Sequence, residues 1–150
     1  MKLFSIILLS FILISCSLIS NSEEEKNIDL DILSKQLFKD YQYSYNTNRQ
    51  KSSTQLVVVT IAKKNFNNND YLKIRNKLFK LGWDEVDNYD NYYNFCKNSN
   101  YSIDILNPVN TNHYTRNGDK VNFDSMDYWY FAMYYNKLGI NNCMDFYKNK

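Results

Sequence analysis

The chain is expected to fold as one α+β domain over residues 28–150: an antiparallel or mixed sheet with two helices packed mainly on one face. Three observations lead there. Apolar residues recur at helical spacing in two stretches, 28–43 and 71–81. A β-branched run lies between those stretches, and beyond the second the period changes to two.

The first stretch places Leu30, Leu33, Leu37 and Tyr41 three, four and four residues apart, with Phe38 beside them. Asp29 and Asp31 fall in the first turn, where acids favour the helix dipole. A helix over about 28–43 follows. Residues 46–53 combine Asn, Thr, Arg, Gln, Lys and Ser without an apolar stripe, and so read as a loop. Gln55-Leu56-Val57-Val58-Val59-Thr60-Ile61-Ala62 carries apolar side chains of both parities, as a strand covered on two faces would. It is therefore expected at the centre of the sheet.

Asn67-Asn68-Asn69-Asp70 supplies a loop and a helix cap, after which Tyr71, Ile74, Leu78 and Leu81 mark the second helical stripe. Gly82 stands where a left-handed residue would end that helix, with Trp83 placed to fold back on Leu78. Tyr92–Lys97 and the alternating Tyr101, Ile103, Ile105 are joined by Asn98-Ser99-Asn100, which predicts a hairpin. Val121 and Phe123 alternate in the same manner. Tyr128–Tyr135 is rich in aromatic residues and favours a strand by propensity, against a helix that Ser125 could cap and Gly139 could end. In that strand Tyr128, Tyr130, Ala132 and Tyr134 share one face, and the larger, more apolar set of Trp129, Phe131, Met133 and Tyr135 enters the core.

Ahead of this domain, Lys2 precedes an apolar run from Leu3 to Ile14, the length of a signal-peptide core rather than of a bilayer span. The run closes on Leu13-Ile14-Ser15-Cys16, which resembles the lipobox of bacterial lipoprotein signal peptides. The resemblance covers residues 1–16 only. It implies that residues 1–15 are removed, that lipid is attached to the Cys16 thiol, and that the mature chain faces the periplasm or exterior from a cell membrane or outer membrane. Residues 16–27, with Ser17, Ser20 and Glu23-Glu24-Glu25, then read as a solvated tether. No other part of the chain resembles a known family.

Without residues 1–15 about 135 of the 150 residues remain, enough for one domain with a modest core. The formal charge of +2 falls by one with the loss of Lys2. A balance this near neutrality offers no field to steer a polyanion, so nucleic acid is not an expected partner. With Cys16 assigned to lipid, Cys96 and Cys143 form an even pair in a compartment that permits disulfides.

Candidate chemistry is sparse. His113 is the single histidine and sits in the polar stretch Asn110–Gly118, where it reads as a surface residue. A Cys96/His113 pair would recommend a thiol enzyme acting on cell-wall material. The acids Asp84, Glu85, Asp87 and Asp90 read as a solvated strand edge, because calcium loops need a turn glycine that this segment lacks. No phosphate loop, serine elbow or zinc-spaced cluster is present, and no cofactor or metal is expected. What remains is the tyrosine-rich face, with Tyr128, Tyr130 and Tyr134 as candidate binding residues. The leading expectation is a small non-catalytic envelope lipoprotein that binds a macromolecule, most simply a protein: a component of an envelope complex, or a toxin or enzyme arriving outside the membrane. The alternative is a cell-wall hydrolase using Cys96 and His113 or the Asp84–Asp90 acids.

Overall fold

The computed structural model describes residues 27–150, with the backbone alone for 48–51. The leader, the lipobox with Cys16 and most of the tether lie outside the described residues.

Helix α1 (Leu30–Phe38) starts at Asp29, whose carboxylate accepts from the amides of Asp31 at 2.9 Å and Ile32 at 3.2 Å. Such a side-chain cap satisfies amides that have no partner within the helix. Leu30, Leu33, Leu37 and Phe38 are buried, as the stripe requires. The helix is shorter than 28–43, because the chain turns after Phe38 and the Tyr41 ring instead meets Phe66 edge-on at 5.0 Å.

The predicted loop at 46–53 is instead a strand and a tight turn. Strand β1 (Ser44–Lys51) pairs antiparallel with β2 (Thr54–Ala62) at the sheet edge. Its exposed Tyr45, Asn46 and Thr47 explain the missing apolar stripe: the strand is held by backbone pairing and buries little side-chain surface.

Helix α2 (Asn68–Lys80) opens with a reciprocal cap. Asn67 Oδ1 accepts from the amides of Asn69 and Asp70, while Asp70 Oδ2 accepts from the Asn67 amide. It closes at Gly82 (φ +78°) with Trp83 N donating to Leu78 O and Gly82 N to Phe79 O, both at 3.0 Å. That is the left-handed stop expected of the glycine, and it turns Trp83 into the core at 3% exposure.

Strands β3 (Asp84–Tyr89), β4 (Tyr92–Lys97) and β5 (Tyr101–Leu106) form an antiparallel meander. Its first turn is Asp90–Asn91, both at positive φ, as a two-residue hairpin with the sheet's twist demands. Two short strands, β6 (His113–Tyr114) and β7 (Lys120–Val121), pair separately. Strand β8 (Tyr128–Asn136) and helix α3 (Asn141–Lys148) complete the described chain.

The six-stranded sheet runs β1-β2-β8-β5-β4-β3 with every neighbour antiparallel, and the domain is α+β. β8 pairs with β2 from Thr54↔Asn136 to Ala62↔Tyr128 and with β5 from Tyr101↔Tyr135 to Leu106↔Tyr130. The centre is therefore β8 and β5, and the β-branched run of β2 lies one strand in from the edge. Its even-numbered side chains are only half-buried, so its apolar character on two faces does not mark the sheet's middle.

The core lies between the sheet and the α1/α2 layer. Trp129, Phe131 and Met133 point into it at 2%, 0% and 0% exposure, whereas Tyr128 and Tyr134 remain exposed. Phe131 meets Phe38 at 4.6 Å and Phe66 at 5.6 Å, and Trp129 stacks on Tyr71 at 5.5 Å. Among the described residues the α-helices number three rather than two. α3 lies on the other face, since Cys143 is bonded to Cys96, whose strand parity is opposite to that of buried Phe95.

Candidate functional site

The face away from α1 and α2 carries the even-numbered side chains of β2, β4, β5 and β8. α3 covers its β4 side. Three ties hold the helix there: the Cys96–Cys143 disulfide with Cα atoms 5.6 Å apart, Asn142 against Asn94, and the Tyr147 hydroxyl, 2.8 Å from Asp84 Oδ2 and 3.0 Å from the Cys96 carbonyl. Because α3 stops short of β2, a cleft of about 450 Å³ remains between them. Leu56, Tyr134 and Ile140 supply apolar wall, and Ser102, Asp104 and Asn142 supply its polar side.

A hydrogen-bond chain fixes that polar side. Asn142 Nδ2 donates to Asn94 Oδ1 at 2.7 Å, Asn94 Nδ2 donates to Ser102 Oγ at 2.9 Å and to Asp104 Oδ1, and Ser102 Oγ donates to the same Oδ1 at 3.2 Å. The Asn94 amide thereby has one workable orientation, with oxygen toward α3 and nitrogen toward the acid. Asn94 and Ser102 are buried at 1% and 2% exposure. Burial holds the Asp104 carboxyl above its ordinary range, against the opposing effect of hydrogen bonds from Asn94, Tyr92 and Ser102. The Tyr92 and Tyr134 hydroxyls are likewise pushed up, chiefly by burial and then by the Asp104 charge.

No family model, curated protein or solved structure matches the chain. Its chemistry has to be read from the residues themselves.

The residues singled out by sequence are scattered. Cys96 is bonded to Cys143 and offers no thiolate. His113 is not a surface residue: it is fully buried, at 0% exposure. Its Nε2 accepts from the amides of Val109 at 2.9 Å and Asn110 at 3.1 Å, so the ring proton is on Nδ1, which faces Asp90 O at 3.0 Å and Asp90 Oδ2 at 3.1 Å. The ring is a rivet between the β3–β4 turn and the loop before β6. The Cys96/His113 pair is thus not assembled, with both partners engaged elsewhere.

The edge-strand acids are each occupied: Asp84 with Lys150, Glu85 with Arg75, Asp87 with Arg116, and Asp90 with His113. Among the described residues no group of three metal-ligating side chains converges. Of the candidate tyrosines, Tyr130 turns its hydroxyl to Ser125, accepting from the amide at 2.8 Å and reaching the carbonyl at 2.9 Å. Tyr128 stands exposed at the far end of β8, and Tyr134 borders the cleft.

Asp104, Ser102, Asn94 and Asn142 were not singled out by sequence reasoning. Their signal is faint but present. In Tyr101-Ser102-Ile103-Asp104-Ile105 a carboxylate shares the polar parity of a strand whose apolar parity is fully buried, and such a strand lies well inside a sheet.

Proposed function

We propose that this chain is a small lipid-anchored protein, held through Cys16 outside the cytoplasmic membrane, that serves as a non-catalytic binding protein for a protein partner docking on the α3-side face of the sheet. The observation that carries this reading is the incomplete cover of that face. α3 is stapled over β4, while Tyr134 and Leu56 are left bordering an open cleft. Aromatic residues at such a rim provide rigid contact area at low entropic cost. The occupied state of Cys96 and of both His113 nitrogens favours binding over cysteine-based hydrolysis.

A photo-crosslinking residue at Tyr134 in intact cells tests the reading, with the same probe at Leu72, exposed on α2 at 47%, as the control surface. A discrete adduct from position 134 and none from 72 is expected. Equal, diffuse labelling from both positions would refute the docking face. Cys16→Ser should abolish lipid labelling, and a wild-type chain that fractionates lipid-free would refute the anchor.

A further inference from the structure

We propose that the cleft receives a lysine side chain of the partner, its ammonium paired with Asp104 beside the Tyr134 ring and its aliphatic stem laid along Leu56 and Ile140. This rests on the docking face proposed above and names the group that enters it. Asp104 sits on β5, in the middle of the sheet, and its hydrogen-bond partners are the neutral side chains of Asn94, Ser102 and Tyr92. Among the described residues no lysine, arginine or histidine forms an ion pair with it. A carboxylate withdrawn from water without a countercharge is costly, and a cation supplied from outside removes that cost.

The geometry selects the kind of cation. Asn94 and Ser102 both donate to Oδ1, so one carboxylate oxygen already carries two hydrogen bonds. Tyr92 adds a third to the carboxyl; a guanidinium fork needs both oxygens open at once, whereas an ammonium acts as a point charge and needs a single contact. The walls suit the rest of the side chain. Leu56 and Ile140 face the methylene stem, and the Tyr134 ring borders the cationic end, where an aromatic face adds further attraction. A volume of about 450 Å³ admits the whole side chain with part of its backbone. The acid is also held in advance, because Asn142 fixes Asn94 from a helix tied down by the disulfide. A site ordered before the ligand arrives loses less on binding.

Protonation adds a signature. Since burial raises the Asp104 carboxyl and an ammonium pairs with its ionised form, binding strengthens as pH rises through the range in which that carboxyl loses its proton. The titratable groups facing Asp104 are Tyr92 from β4 and Tyr134 from β8; β2 and α3 bring the uncharged Leu56 and Asn142 to the cleft. Neither tyrosine ionises near neutral pH, so binding that strengthens from acid toward neutral pH reports the carboxyl.

The test is an NMR titration of the full chain in detergent micelles with Nα-acetyl-lysine methylamide. Its Nε-acetylated analogue serves as the neutral control and Nα-acetyl-arginine methylamide as the guanidinium control. Saturable shifts at the Ser102, Tyr134 and Asn142 amides are expected, weaker by at least about tenfold for the acetylated probe and in Asp104→Asn, as for loss of a close charge pair. Equal binding by the acetylated probe overturns the proposal on the wild type alone, whether or not the variant folds. Tighter binding of the arginine probe overturns the choice of lysine. Crosslinks from position 134 that are undiminished in Asp104→Asn would also remove the lysine while leaving the docking face standing.

Discussion

His113→Ala should destabilise the fold by about 2–4 kcal/mol, a large effect for a polar residue in a loop. The magnitude follows from what the imidazole holds. Its Nε2 accepts two backbone amides and its Nδ1 donates to Asp90, and each such bond has a net worth of about 0.5–1.5 kcal/mol. The ring is also fully buried, edge-on to Phe123 at 5.7 Å, so its loss opens a cavity. His113→Gln restores an acceptor for the amides without the donor to Asp90 and should cost about half as much. Equilibrium urea denaturation followed by the fluorescence of Trp83 and Trp129, both buried, gives the global value. Amide exchange at Val109 and Asn110 gives the local one and should accelerate by more than at any strand of the sheet. An alanine variant within about 0.5 kcal/mol of wild type, with those two amides still protected, would refute the rivet.

On β8, Phe131→Ala or Trp129→Ala should cost about 3–5 kcal/mol, whereas Tyr134→Ala should cost about 1 kcal/mol or less; equal losses in thermal melts would mean that both faces are packed alike. Cys143→Ser opens a loop closed over a separation of 47 residues and should lower stability by about 4 kcal/mol on the chain-entropy view, and unchanged melting after reduction would count against a structural bond. Asp104→Asn should raise stability near neutral pH. The folded carboxyl lies above its ordinary 3.8, so its favourable neutral form is fully populated below that value and the advantage is lost as pH rises through the folded value. The variant and wild type should therefore converge in melts below about pH 3.8 and diverge above it; a constant gap would show that the charge is not the cause.

Features with a local cause were legible in the sequence. The Gly82 stop, the hairpin at Asn98-Ser99-Asn100 and the inward parity of Trp129, Phe131 and Met133 each depend on residues within a few positions of one another. What was missed depends on distant partners. β1 has no apolar stripe because the backbone of β2 pairs with it. α3 has eight residues, no side-chain cap and one fully buried residue, Cys143, so its stability comes from β4 rather than from its own sequence. His113 takes its meaning from Asp90, twenty-three positions away. The cleft acid fell on the parity that ordinarily faces water, and only the position of β5 in the strand order, together with α3 beside it, partly withdraws that face from solvent.

The strand order also sets an order of assembly. The β1–β2 hairpin and the β3–β4–β5 meander are each built from neighbouring segments, and within the sheet they are joined only by β8, the last strand among the described residues, which pairs with both β2 and β5. Before β8 pairs, both halves present an open edge, one of them carrying the Val57, Val59 and Ile61 surface that the folded protein hides completely. A chain cut short before Tyr128 would keep both edges and lose the Phe131 and Trp129 rings that close the core. Synthesis must therefore have passed β8 before this domain can close its sheet. The strand that joins the two halves is the last among the described residues, and a partner that seized either edge early would trap the domain in two pieces.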